Sequence, residues 1–96
     1  SIIKNIPIQA DWKGSLSPEL LLTDVEIYPG TVQIVGPREA MEDISTIYTD
    51  PIDLSRIEKS GSTKVTLDFD QGSYISLAPH AKGSVTVEFV VRERRH

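Results

Sequence analysis

Ser84-Val85-Thr86-Val87-Glu88-Phe89-Val90-Val91 carries the reading of the fold. Along an extended chain Val85, Val87, Phe89 and Val91 fall on one side and Ser84, Thr86 and Glu88 on the other, the period-two pattern of a half-buried strand. Val90 breaks the alternation and implies a second face that is partly covered. Working outward, Val65, Leu67 and Phe69 repeat the device with Lys64, Thr66 and Asp68 outward. Val25 and Ile27, then Val32 and Ile34, form two more runs separated by Tyr28-Pro29-Gly30, read as a tight turn in which Pro sets φ and Gly supplies φ > 0. Asp70-Gln71-Gly72-Ser73 reads as a further turn, followed by Tyr74, Ile75 and Leu77 before Pro79.

One stretch departs from this pattern. Gly36-Pro37-Arg38-Glu39-Ala40-Met41-Glu42-Asp43-Ile44 places Pro at a first helical position, acids early, and Ala40, Met41 and Ile44 at helical spacing. It predicts a helix of about two turns from Pro37, ending by Ser45. Ile47, Thr49 and Ile52 resume strand character around Pro51. A faint repeat sets Pro7-Ile8-Gln9 against Pro51-Ile52-Asp53, and the Pro29 block against Pro79 with Gly83-Ser84-Val85-Thr86-Val87. Each half is too short to bury a face alone, so the halves are expected to interleave. The fold class is therefore mostly β, a small barrel-like or sandwich domain of two interleaved halves with one short helix. Its expected core is Ile34, Leu54, Val65, Leu67, Val85, Val87 and Phe89.

The 96 residues fit one domain. The absence of cysteine removes disulfides, thiolate nucleophiles and Cys-type zinc sites. A net charge of -4 disfavours broad binding to nucleic acid or anionic lipid. No apolar run approaches the ~20 residues that span a bilayer. The abrupt opening at Ser1-Ile2-Ile3 and the basic close Arg92-Glu93-Arg94-Arg95-His96 read as ends of a segment from a longer chain.

Catalytic constellations are incomplete. His80, in Ala78-Pro79-His80-Ala81-Lys82, is the one internal base for a Ser nucleophile, without a recognisable nucleophile motif, and reads as a solvated loop residue. Asp68 and Asp70 open like a calcium loop, but Gly72 falls one position early and Pro79 stands where the bidentate Glu belongs. Glu42-Asp43, and Asp50 with Asp53, read as surface acids rather than an acid-base pair. Ser60-Gly61-Ser62-Thr63 precedes a strand, not a helix, so it is a flexible loop and no phosphate cradle. No metal or cofactor is implied. Trp12, between the first strand and a Gly/Ser/Pro loop, is either a core cap or a contact residue.

The order of these blocks resembles the YbbR-like domain. The resemblance is carried by Ile6-Pro7-Ile8, by Pro29 through Gly36-Pro37, by Ile44 with Ile47-Tyr48-Thr49, by Ile52-Asp53-Leu54-Ser55, and by Pro79 followed by Val85-Thr86-Val87. Arg56 departs from the Gly that the family often has. The resemblance covers nearly the whole chain and makes Pro29, Gly36, Pro37, Ile52, Asp53, Leu54 and Pro79 family-motif residues of structural type, with no catalytic residue to carry over. Asp53 is expected to bond backbone amides near Pro51.

The resemblance implies an extracytoplasmic module, one of several tandem copies tethered in bacteria by a transmembrane helix outside this segment. The resemblance further implies regulation of a membrane diadenylate cyclase, which makes cyclic di-AMP, through protein contact and without catalysis by the module. The implied partners are that cyclase and neighbouring copies of the domain, with no nucleic acid. The rival reading is a cell-wall carbohydrate-binding module using Trp12, Tyr48 and Tyr74 as stacking surfaces. A hydrolase ranks last.

Overall fold

The computed structural model describes residues 1–69 and 74–95. The Asp70-Gln71-Gly72-Ser73 turn, the Asp68 and Asp70 pair as a pair, and His96 lie outside the described residues. The elements run β1 (Ile2–Gln9), β2 (Trp12–Lys13), β3 (Leu20–Tyr28), β4 (Thr31–Gly36), α1 (Arg38–Met41), β5 (Ile47–Thr49) and β6 (Ile52–Asp53). A 3-10 turn (Leu54–Arg56), β7 (Gly61–Asp68), β8 (Ser76–Leu77) and β9 (Ser84–Glu93) follow.

The alternating segments become the long strands because each buries one face. Seven strands form a mixed sheet in the order β3-β9-β7-β5-β1-β4-β8, and β2 pairs with β6 in a second, two-stranded sheet. The halves interleave: β3 of the first half lies antiparallel to β9 of the second, with Ile27 opposite Val87 and Val25 opposite Phe89. Between the halves the pairs are also parallel, Ile8 opposite Ile47 and Trp12 opposite Ile52. That register sets Pro51 beside Asp11, whose carbonyl accepts from the Ile52 amide at 2.8 Å.

The turn at Tyr28-Pro29-Gly30 joins two strands that do not pair with each other. Two residues span at most about 11 Å, yet β3 and β4 lie far apart in strand order. The sheet therefore coils until the end of β3 approaches the start of β4, and among the described residues no ladder closes it into a barrel. The Tyr28-Pro29 peptide is cis, and Gly30 does not take the positive φ expected of it: the turn is made with Gly30 at negative φ.

The core gathers Ile6, Ile8, Val32, Ile34, Met41, Ile47, Leu67, Val85 and Val87. Of the expected set, Ile34, Leu67, Val85 and Val87 are buried, while Val65 is half-buried against the cluster. Leu54 and Phe89 are half-buried outside the cluster. Leu54 sits in the 3-10 turn, whose chain continuation buries Ile57 instead. Phe89 lies opposite Gly61, whose missing side chain leaves the ring a place on the strand.

Two further expectations are corrected. Gly61, Ser62 and Thr63 are not a flexible loop but the first residues of β7, paired with Phe89, Glu88 and Val87. The helix is one turn, not two, and Pro37 precedes it as N-cap with φ -66° and ψ 150°. Its end is set from a distance. Lys4, on the inward side of β1 among Ile2, Ile6 and Ile8, donates through Nζ to the Met41 carbonyl at 3.1 Å and the Ile44 carbonyl at 3.0 Å. The Ile44 amide turns back to the same Met41 oxygen at 3.2 Å. With the Met41 oxygen doubly engaged, the chain leaves the helix.

Candidate functional site

The motif residues lie at joints of the fold. Gly36 ends β4 where a side chain would be crowded: a Cβ there would stand 3.2 Å from both Met41 Sδ and the Tyr74 carbonyl oxygen. Pro37 then starts α1, and its carbonyl accepts from the Ala40 amide at 3.0 Å.

Asp53 closes β6 and caps the 3-10 turn. Its Oδ1 accepts from the Ser55 amide at 3.0 Å and the Ser55 hydroxyl at 2.7 Å, so its backbone partner lies two residues beyond it and not near Pro51. These bonds, helped by the nearby charges of Lys13 and Arg56, hold the Asp53 carboxyl below the usual aspartate range. The same Oδ1 explains Gly14: at φ +70° a Cβ would lie 2.8 Å from it. Ile52 and Asp53, with Lys13, Arg56 and Lys64, line a surface cavity of about 480 Å³.

Pro29 and Pro79 mark two turns that face each other across a groove of about 590 Å³, with Asn5, Gln33, His80 and Lys82 on its walls. His80 is exposed and takes φ 71°, a conformation that favours glycine, with the Ala81 amide bonded to the Ala78 carbonyl at 3.0 Å. Among the described residues no acid lines that groove to orient the imidazole.

The acids proposed as surface groups are engaged locally or exposed. Asp50 Oδ2 accepts from the Thr66 hydroxyl, and the Asp50 amide donates to the Thr66 carbonyl at 2.8 Å. Glu42 and Asp43 are exposed in the turn after α1. Among the described residues no three acids or histidines gather as a metal-binding group.

The aromatic residues do not form one platform. Trp12 is half-buried against the core, Tyr48 is half-exposed beside the Ile44, Phe69 and Ile75 groove, and Tyr74 is 83% exposed. No described cavity is lined by more than one of the three.

A model of the family described as YbbR-like protein matches residues 6–89. The chain belongs to the YbbR-like family. The solution structure of SuR18C from Streptococcus thermophilus is similar to this YbbR-like domain with a TM-score of 0.71, covering 99% of this chain and 88% of that one at 23% identity. That likeness shows a shared fold. No curated protein matches the chain.

Three features of the YbbR-like domain escaped the reading of its sequence. Lys4 interrupts an isoleucine face, an irregularity visible in the sequence without naming the carbonyls it reaches. Thr49 is fully buried, accepting from the Asp11 amide at 3.1 Å and donating to the Asp50 carbonyl at 2.9 Å. Asp24, Glu26 and Glu88 meet on one sheet face because β3 and β9 pair, although they lie far apart in the chain.

Proposed function

We propose that this YbbR-like domain is a non-catalytic extracytoplasmic contact module of a membrane-anchored bacterial protein, and that it regulates a membrane diadenylate cyclase by binding protein surfaces. Membership of the family over residues 6–89 carries this reading. The chemistry of the motif residues supports it: Gly36 admits Met41, Asp53 caps a turn, and Pro29 and Pro79 shape turns, all structural tasks. A contact surface needs roughly 800 Å² on one partner with a few packed anchors, which the exposed strands of a domain this size can supply. Such a module acts beside neighbouring copies of itself, tethered by an anchor outside this segment.

The test is co-purification of the parent protein with the membrane cyclase, with and without this domain, alongside measurement of cyclic di-AMP output. Deletion is expected to weaken association and change output. Association and output both unchanged by deletion would refute the proposal.

A further inference from the structure

Among the described residues of the seven-stranded sheet, β3 is a nine-residue strand with a partner on one side alone. Its other edge offers unpaired amides and carbonyls, a template for another extended chain. The side chains exposed along it include Leu21, Asp24, Glu26 and Tyr28. The register slips at Thr23, whose hydroxyl donates to the Val90 carbonyl at 3.3 Å.

Charges and irregularities on an edge commonly keep a second copy away. Asp24 and Glu26 do so here, because pairing β3 with itself would set acids against acids. Glu88 does not fit that account. It stands on β9, inside the sheet, directly opposite Glu26, where like charges lower stability. Among the described residues no Lys or Arg forms an ion pair with Asp24, Glu26 or Glu88. These three acids border a shallow cavity of about 270 Å³ floored by Ser62 and Phe89. Tyr28 donates its hydroxyl to Glu26 at 2.8 Å, and that bond, with the charges of Glu26, Glu88 and Asp24, lifts its pKa above the usual tyrosine range. The face thus holds a concentrated negative field beside a free strand edge.

We propose that the free edge of β3 takes up an extended basic peptide segment as an added strand. Its main chain pairs along Leu21 to Tyr28, and Lys or Arg at alternate positions meet Asp24 and Glu26, with Glu88 adding attraction across β3. The inference rests on the reading of the domain as a contact module. The acids that reject a second copy select a basic partner, so the same residues supply both exclusion and affinity.

The probe is a blocked eight-residue peptide alternating Lys and Val, titrated into the full chain by amide NMR at low salt. A Glu-Val peptide and a Lys-Val peptide N-methylated at alternate residues serve as controls. Saturable shifts centred on Leu21 to Tyr28 are expected, with slowed exchange of β3 amides and no binding by either control. Asp24→Lys with Glu26→Lys should weaken binding about ten-fold, the loss of two exposed ion pairs. Their melting temperature shows whether they fold, and removing a like-charge contact should leave it unchanged or higher. Binding by the N-methylated peptide would overturn strand addition, as would shifts centred elsewhere or a β3-mediated dimer of the chain. In the parent protein, cyclase association that survives the charge reversal but not deletion of the domain would sink this proposal while leaving the contact role standing. Association indifferent to deletion would sink the contact role itself.

Discussion

Replacing Lys4 by Met tests how one side chain stops the helix. Met keeps most of the aliphatic stem but removes the ammonium that reaches the Met41 and Ile44 carbonyls at 3.1 and 3.0 Å. Two hydrogen bonds from a charged donor contribute about 3 kcal/mol at the low end of their usual range. Lys4 is only half-buried, and the Met41 oxygen keeps the Ile44 amide at 3.2 Å, so a loss of about 2 kcal/mol is expected. For a domain of this size that lowers Tm by roughly 8–16 °C. Thermal and urea unfolding measure the loss, and hydrogen exchange localises it. The Ile44 amide should lose protection beyond the global change, while Ile34 in the core follows the global change alone. A variant that melts within about a degree of the parent, or loses protection evenly everywhere, would refute the capping argument.

Leu67→Ala should cost about 2–5 kcal/mol, because Leu67 is buried in the central cluster; urea unfolding measures it, and a parent-like midpoint would place the residue on the wrong face. His80→Gly should stabilise by about 0.5–1 kcal/mol by relieving the φ of 71°, read as a higher Tm, and a lower Tm would show that the imidazole makes a contact worth more than the strain. Asp53, whose carboxyl is held low by Ser55, contributes stability that is present above the ordinary aspartate pKa and lost as pH falls through the lowered one. NMR titration of its carboxyl carbon should therefore give a midpoint below about 3.9, with the Ser55 amide shifting in step; a midpoint at or above that value would contradict the cap.

Alternation made the strands legible wherever one face meets the core, as at Val85 and Val87 or Val32 and Ile34. What alternation does not encode is the identity of the neighbour. Gly61-Ser62-Thr63 has the composition of a loop and becomes strand because Phe89 lies across from Gly61. The helix looked longer because its residues favour one, and its stop is delivered by Lys4, far away in sequence. Leu54 and Ile57 exchange places with respect to burial because a 3-10 turn resets which side chain faces inward. At the candidate surfaces, the turn role of Pro29 was readable from local chemistry. The meeting of Glu26 with Glu88 depends on a register set by two distant strands, which no local pattern reveals.

The position of β9 bears on the order in which the molecule can form. Emerging after the other strands, Ser84–Glu93 is nevertheless inserted between β3 and β7. During synthesis, Leu20–Tyr28 must wait for residues about sixty or more positions downstream, such as Val87 for Ile27, before its apolar side gains a neighbour. Pairing of such high sequence separation slows folding and leaves a sticky ribbon exposed meanwhile. A nascent or truncated chain lacking this strand would lack an internal beam rather than a trim, and it would be a natural client for chaperones until the ten residues of β9 arrive.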